Sequence, residues 1–352
     1  MPSSFLKRSP NSALRFFAAA SVFGMCLITL ASAQPVAPNS SRNIPFVQFV
    51  TVQKDVQLEV LNWGGDGRPV VLLAGLGGTA HDFDEFAQKL TKSYRVYGIT
   101  RRGFGASSTP PPLPENYTAN RLADDVLAVC ATLQLVRPIL IGHSIAGQEL
   151  SSIGSRHPGK VAGLIYLDAT SAYAYYDRAQ GDFLLDLFDL QEKLAQLGSR
   201  NPIASSGPAD ISPIVRELRE TLLPQFIKDL ENWERNVQGL SAPPPPPPGE
   251  RTPREWAVPL IFGGQQKFTT IEAPVLAIIA VPHDLSHISD PAIRARAAAW
   301  DKERMSRQAR AFELGVPSSR VVRLANANHR VFQSNELEVL REINSFIATL
   351  KQ

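Results

Sequence analysis

Short, continuous apolar runs separated by helical segments restrict the fold of this chain more than any other feature. The five runs are Val70–Ala74, Val96–Ile99, Ile139–Ile141, Leu164–Leu167 and Val275–Val281. Most of their positions are apolar, without the alternation of a half-exposed strand, which is typical of strands buried on both faces of a parallel sheet. Parallel neighbours require a crossover, usually a helix. The pattern therefore predicts a doubly wound, mostly parallel α/β domain.

The segments between the runs carry helical signals. Thr79 and Asp82 have the spacing of a capping box, and residues 122–133 and 337–350 have amphipathic helical patterns. Before the first run, period-two alternation within residues 49–63 predicts two antiparallel strands. Strands and helices therefore alternate through most of the chain.

The alternation stops in one long segment. We predict a helical cap over residues 171–272, inserted between strands 6 and 7, with a kink at Pro224. The run 243–248 consists of prolines only and predicts a stiff polyproline spacer inside the cap. The cap divides the α/β core into residues 46–170 and 273–352.

Residues 1–33 have the composition of a secretory signal peptide. Three basic residues lie at the start, Phe16–Leu30 is apolar, and Ala31–Ala33 supplies a small-residue cleavage pattern. The apolar run is shorter than the roughly 20 residues of a membrane-spanning helix. We therefore predict cleavage, a leader over residues 34–45, and a secreted or periplasmic protein without stable membrane insertion. An uncleaved anchor is the alternative.

The charge balance and the cysteine count limit the partners and the disulfides that this chain can have. Residues 1–33 hold three of the 36 basic side chains and no acidic one, which leaves 33 basic and 33 acidic side chains after them. This balance argues against nucleic acids and anionic membranes as partners. Cys130 is the only cysteine after the predicted cleavage site, so no intramolecular disulfide can form. We expect a small-molecule substrate; the sequence does not define the oligomeric state.

A serine lies in a glycine-containing turn directly after the third apolar run. Residues 142–147 read Gly-His-Ser-Ile-Ala-Gly and precede a helical stretch. Here the sequence resembles the α/β-hydrolase superfamily, whose nucleophile elbow reads Gly-x-Ser-x-Gly. Ala146 stands where the second glycine is usual. The resemblance implies an α/β-hydrolase sheet with Ser144 as the nucleophile; a turn that contains a serine by chance is the alternative.

The resemblance also implies the chain order nucleophile, acid, histidine. His329 follows the apolar strand 321–324 and precedes the closing helix, the family's position for the base. Two acids are available. Asp284 follows the last apolar run, the position that the family most often uses, and is favoured. Asp168, at the end of Leu164–Leu167, is the alternative.

Two backbone N–H groups are implied as donors to an oxyanion. One belongs to Ile145, and the other to Leu76 in the glycine-rich loop after Val70–Ala74. Ala74 replaces a histidine that is usual in the family, but a backbone donor does not depend on that side chain. Residues 101–107 resemble the family's Arg-Gly-x-Gly-x-Ser loop, with Arg101 in place of a frequent aspartate, and are interpreted as structural.

The motifs together imply an exported serine hydrolase that cleaves an ester-like bond of a small or medium hydrophobic substrate through an acyl-enzyme. A serine nucleophile argues against dehalogenase and epoxide hydrolase chemistry, which uses aspartate there. Carbon–carbon hydrolase, lactonase, amidase and perhydrolase chemistry remain alternatives, as does a non-catalytic binding protein on this fold. No cofactor is predicted. No metal site is predicted either, because His283 and His287 have no evident third ligand.

Overall fold

Eight strands form one sheet in the computed structural model, which describes residues 44–199, 211–237 and 252–351. The strands are β1 (Phe46–Gln53), β2 (Val56–Gly64), β3 (Pro69–Leu73), β4 (Arg95–Ile99), β5 (Ile139–His143), β6 (Gly163–Leu167), β7 (Val275–Ala280) and β8 (Ser319–Leu324). Their order is β1-β2-β4-β3-β5-β6-β7-β8. β2 pairs antiparallel with β1 and β4, and the remaining pairs are parallel. The mostly parallel α/β fold class is confirmed.

Helices cover both faces of the sheet. The α-helices of the described residues are α1 (Asp84–Leu90), α2 (Ala119–Thr132), α3 (Gly147–Arg156), α4 (Phe183–Ser199), α5 (Ser212–Glu217), α6 (Leu223–Val237), α7 (Pro253–Gly263), α8 (Pro291–Gly315), α9 (Val331–Ser334) and α10 (Glu336–Thr349). On one face, α2, α3 and α8 bury Val126, Leu150 and Phe312. On the other, α1 and α10 bury Phe86 and Ile343. The burial of both faces explains why the central strands are continuously apolar.

The register of the parallel strands brings their carboxyl ends to one edge. Leu73 of β3 pairs with Gly142 of β5, and His143 of β5 pairs with Leu167 of β6. Leu167 in turn pairs with Ile278 of β7. In open α/β sheets, ligands bind outside the carboxyl ends of the strands. The loops that leave this edge are therefore where a site is expected.

Four helices, α4 to α7, lie between β6 and β7 in the chain. The described residues form two units, one with residues 186–199, 211–237 and Thr252, the other with residues 44–185 and 253–351. Helix α7 therefore belongs to the unit that contains the sheet. The insertion that forms its own unit is shorter than the predicted cap, 171–272.

The inserted unit has its own small apolar cluster. Its buried members are Leu190, Ile214, Leu218 and Leu222. A π-helical turn, Leu218–Leu222, joins α5 to α6, and the N–H of Leu223 bonds to the carbonyl of Leu218. Pro224 follows at once and has no N–H to donate, so the predicted disturbance at this proline is a π turn.

Some predicted segments lie outside the described residues. They are the signal peptide, 1–33, the leader up to residue 43, and the proline run, 243–248. Among the described helices, none combines the length and apolar character needed to cross a membrane.

Candidate active site

Ser144 lies at a sharp turn between β5 and α3. Its φ is +53°, a strained conformation of the kind that is retained at functional sites. Gly147 makes the turn possible, because a Cβ there would lie 2.1 Å from the carbonyl oxygen of Ala169. Ala146 is fully buried, and a Cβ on Gly142 would lie 3.1 Å from its Cβ. The turn thus accommodates the alanine that replaces the usual glycine.

His329 contacts Ser144 from the loop after β8. Its Nε2 is 2.9 Å from Oγ of Ser144, and its Nδ1 is 2.6 Å from Oδ2 of Asp168. An ionised carboxylate only accepts hydrogen bonds, so Nδ1 carries the proton and Nε2 is left to accept from the serine. The structure therefore brings Ser144, His329 and Asp168 together in the arrangement of a Ser-His-Asp triad.

Asp168 follows β6 directly and is almost fully buried, with a φ of +49°. Its Oδ1 accepts the N–H of Ala280 at 3.0 Å, and its Oδ2 also accepts Nε2 of His283 at 2.7 Å. Burial alone would raise the pKa of Asp168, but the hydrogen bonds from His283 and His329 outweigh it and hold the pKa below its usual range. The carboxyl is therefore ionised when it faces His329.

Asp284, the acid favoured from the sequence, lies outside this group. It is exposed, and its oxygens accept the N–H and the hydroxyl of Ser286 at 2.8 and 3.1 Å. These two bonds lower the pKa of Asp284. The structure therefore replaces Asp284 with the alternative, Asp168. The physical reason is the loop after β7, which turns His283 into the site and Asp284 toward solvent.

The two backbone donors implied for an oxyanion lie in loops next to the nucleophile. Leu76 follows β3, and Ile145 follows Ser144. Neither N–H is a donor among the backbone hydrogen bonds of the described turns and loops. Gly75 allows the close approach of the loop, because a Cβ there would lie 3.3 Å from Cβ of Ser144. Both N–H groups are thus available to an oxyanion.

Arg101 anchors the loop that carries Leu76. Its guanidinium donates to the carbonyl oxygens of Gly75 and Ala74 at 3.3 and 3.0 Å, and to Glu149 at 2.5 Å. Both charged side chains are buried, and burial raises the pKa of Glu149 despite the attraction of Arg101. Arg101, which departs from the family pattern, therefore holds the loop that carries Leu76 in place.

His143 is buried directly before the nucleophile, but it is not a second base. Its Nε2 is 3.0 Å from the carbonyl oxygen of His329 and donates to it. Burial, together with the nearby His329, lowers the pKa of His143 to about 3. The ring is therefore neutral and holds the backbone of the catalytic loop.

Apolar side chains and one tyrosine hydroxyl lie beside the nucleophile. Ile145 packs in a cluster with Phe104, Tyr117, Leu122, Ala257 and Ile261. Leu76 and Tyr173 pack against this cluster, and Ser171 and Ser144 near the Tyr173 hydroxyl partly offset the effect of its burial on its pKa. Burial raises the pKa of Tyr173, so its hydroxyl keeps its proton. The sequence reasoning missed Tyr173, because it lies in a loop without a motif.

The side chains around Asp168 include groups that could in principle bind a metal ion. Asp168, His283 and His329 each offer one ligand atom, and these atoms lie within 4.8 Å of one another. The carboxylate oxygen is 2.6 and 2.7 Å from the two histidine nitrogens. Two ligands of a tetrahedral zinc ion are about 3.3 Å apart. The separations are those of hydrogen bonds. His287, considered from the sequence as a partner of His283, is exposed and not helical.

A family model of the alpha/beta hydrolase fold matches residues 68–335. This chain belongs to the α/β-hydrolase family. One curated relative, the AB hydrolase superfamily protein YisY of Bacillus subtilis, is 36% identical over 148 residues, which are 39% of this chain and 54% of the relative. Fluoroacetate dehalogenase of a Burkholderia species is 31% identical over 116 residues, 32% of this chain and 38% of the relative. The chain thus spans about half, or less, of the length of these relatives.

Solved structures extend the similarity across most of the chain. A thermophilic esterase from Thermogutta terrifontis superposes with a TM-score of 0.52 at 21% identity, over 86% of this chain and 98% of that one. At this identity the likeness concerns the fold alone. Within the α/β-hydrolase family, this member has the carboxylate that contacts His329, Asp168, after β6 and a buried histidine, His283, after β7.

Proposed function

We propose that this α/β hydrolase is a serine hydrolase that cleaves an ester-like bond of a small or medium hydrophobic substrate. The observation that carries the proposal is the 2.9 Å contact between Nε2 of His329 and Oγ of Ser144. A serine hydroxyl is a weak nucleophile unless a base takes its proton. Asp168, 2.6 Å from Nδ1 of the same ring, holds that base in the required tautomer.

The reaction follows from this geometry. Ser144 Oγ attacks the carbonyl carbon while its proton moves to Nε2 of His329, and the N–H groups of Leu76 and Ile145 receive the oxyanion. His329 returns the proton to the leaving alcohol as the carbon–oxygen bond breaks, which leaves an ester on Ser144. A water molecule then attacks this acyl-enzyme while His329 takes its proton, and the acid is released as the acyl–Oγ bond breaks and His329 returns the proton to Ser144.

The surroundings of the nucleophile support an apolar acyl group. Ile145, Phe104 and Tyr117 belong to one buried apolar cluster, and Leu76 packs against it. A charged acyl group would lose its hydration beside these side chains without compensation. Similarity to a dehalogenase does not change the proposal, since the nucleophile here is a serine.

The first experiment is hydrolysis of p-nitrophenyl esters of increasing acyl length. The wild type should release nitrophenol, with an optimum at short or medium chains, and Ser144→Ala should lose this activity. A fluorophosphonate probe should label the wild type at Ser144 and leave Ser144→Ala unlabelled. Labelling without ester turnover would redirect the proposal to amide, lactone, carbon–carbon or perhydrolase chemistry. Absence of both would indicate a binding protein on this fold.

We also propose that the protein is exported, and that its substrate is a small molecule rather than a nucleic acid. The support is the basic, apolar and small-residue order within residues 1–33. In a bacterial host, the full chain should be recovered outside the cytoplasm with a new amino terminus near Gln34. A chain that lacks residues 2–33 should stay in the cytoplasm. Recovery of both proteins in the cytoplasm would contradict export.

A further inference from the structure

A buried histidine lies between two buried carboxylates directly behind the triad. Nε2 of His283 is 2.7 Å from Oδ2 of Asp168, and its Nδ1 is 3.0 Å from both carboxylate oxygens of Asp301 in α8. The backbone N–H of His283 also donates to Asp301, at 2.8 Å. The side chains of His283, Asp168 and Asp301 are only 7%, 1% and 8% exposed. The acyl-transfer steps use neither His283 nor Asp301.

These contacts define the protonation state of His283. A neutral imidazole has one N–H, and an ionised carboxylate can only accept, so both ring contacts are satisfied only by the imidazolium. Burial alone would lower the pKa of His283, but the hydrogen bonds to Asp168 and Asp301 outweigh it and raise the pKa to about 9. Burial would raise the pKa of Asp301, yet its hydrogen bonds with His283 hold it below the usual range.

The other charges around His283 are few. Arg304, which is partly exposed, donates to Asp301 at 3.4 Å. The His329 ring centroid is 6.0 Å from that of His283. The titratable or charged groups that face or flank His329 are Asp168, His283, His143, Tyr173 and Arg330. His143 and Tyr173 are neutral, whereas His283 is a buried cation in direct contact with Asp168.

We propose that His283, held by Asp301, is a positioning residue that acts through Asp168. It directs the Asp168 carboxylate toward His329 and, as a cation, offsets part of the negative charge that would favour protonation of His329. Removal of this cation should leave the two carboxylates uncompensated near the base, and the expected consequence is a change in the pH dependence of catalysis. This inference rests on the proposed serine-hydrolase function.

The test is the pH dependence of kcat/KM for His283→Gln, measured with the best p-nitrophenyl ester. Glutamine keeps an N–H for Asp168 but removes the charge. We expect the acid limb to move to higher pH by about one unit, the size of one charge at this separation in a partly solvated site. The plateau at alkaline pH should fall by less than about tenfold, because a donor remains.

A matched control is His287→Gln, which removes an exposed histidine four positions further along the same loop. Its acid limb should coincide with that of the wild type. An unshifted acid limb in folded, active His283→Gln would overturn the inference and leave the serine-hydrolase function intact. If the wild type showed neither ester turnover nor probe labelling, the proposed function itself would be overturned.

A second measurement needs neither turnover nor a variant at His283. In ¹⁵N-histidine-labelled wild type, NMR should show His283 with both nitrogens protonated at pH 7. Asp301→Asn removes one of its two carboxylate partners, so His283 should lose its proton at lower pH there. A neutral His283 at pH 7 in the wild type would overturn the inference. This result does not depend on whether His283→Gln folds.

Discussion

His329 and Asp168 share a 2.6 Å hydrogen bond, although the two residues are 161 positions apart in the chain. The sheet makes this contact, because β6 and β8 are separated by β7 alone and both end at the same edge. Nδ1 of His329 is thereby protonated, and Nε2 faces Ser144. The hydrogen bond to Asp168 thus leaves Nε2 of His329 as the nitrogen that can accept a proton from Ser144.

Replacement of the acid should therefore remove most of the activity without unfolding the protein. In Asp168→Asn, the amide can donate to Nδ1 of His329, which stabilises the tautomer that cannot accept from Ser144. We expect kcat for ester hydrolysis to fall by about 10⁴-fold, as in other serine triads. Circular dichroism of the variant should resemble that of the wild type.

The control for this prediction is Asp284→Asn. Asp284 is exposed, and its carboxylate accepts from the N–H and the hydroxyl of Ser286 within its own turn, while its backbone N–H, which the substitution leaves in place, donates to Ala327. Its kcat should stay within about twofold of the wild type, as expected of a surface substitution. A large loss in Asp284→Asn with little loss in Asp168→Asn would contradict the geometry described above.

The choice of acid shows where the sequence stops being informative. Asp168 and Asp284 both follow buried apolar strands, so hydrophobic pattern alone cannot separate them. The difference lies in the backbone: the positive φ of Asp168 turns its carboxylate toward His329, while the loop after β7 turns His283 inward. The backbone angles of such a loop depend on contacts that the sequence pattern does not reveal.

Other features were predictable because one strong physical signal determined them. Strands buried on both faces must be apolar throughout, and the strand–turn–helix position of Ser144 follows from its glycine-containing turn. The capping box at Thr79 was wrong, since its side chain makes no capping bond and the helix begins with a 3₁₀ turn, Ala80–Phe83. The N–H of Ala80 instead donates to the hydroxyl of Thr100 at 3.0 Å. A tertiary contact has replaced the local cap.

The elbow should not tolerate a methyl group at Gly147. A Cβ there would lie 2.1 Å from the carbonyl oxygen of Ala169, the residue after the acid. Gly147→Ala must therefore displace the elbow or the segment that carries Asp168. We expect a stability loss of about 1–3 kcal/mol by urea unfolding, and at least about a tenfold loss of kcat.

Gly159→Ala is the matched control for that variant. A Cβ at Gly159 would have no heavy atom within 4 Å, and its φ lies outside the left-handed region. Its stability and kcat should match the wild type. Equal behaviour of the two alanine variants would show that the elbow is not constrained at Gly147.

Replacement of only one member of the buried ion pair Arg101–Glu149 should lower the free energy of unfolding strongly. Arg101→Leu leaves the Glu149 carboxyl buried without its partner, and loss of one member of such a pair typically costs about 3–5 kcal/mol. The double variant Arg101→Leu/Glu149→Leu should be more stable than the single one, because it leaves no uncompensated charge. Urea unfolding at pH 7 measures both.

An exposed ion pair provides the comparison. Arg323 and Glu313 form a contact of the same length, 2.5 Å, but their side chains are 39% and 37% exposed. Arg323→Leu should cost less than about 1 kcal/mol. If Arg101→Leu cost no more than this, the Arg101 side chain would not anchor the oxyanion loop as its contacts with Gly75 and Ala74 indicate.

Burial of His143 should make the folded protein sensitive to acid. The pKa of His143 is about 3 in the folded chain and 6.5 for the ordinary side chain. Between these values the unfolded chain binds a proton that the folded chain does not, so stability falls as pH decreases. The contribution is about 1.4 kcal/mol for each pH unit below 6.5, until the folded ring is protonated near pH 3.

The variant His143→Gln isolates this effect. Glutamine can still donate to the carbonyl oxygen of His329, but it does not titrate. Its free energy of unfolding, measured in urea from pH 7 to pH 4, should decline less steeply than that of the wild type. Other groups, including His283, contribute with their own signs to both proteins and cancel in the difference. Parallel pH profiles would mean that the folded protein takes up a proton at Nδ1 of His143 as readily as the unfolded chain does.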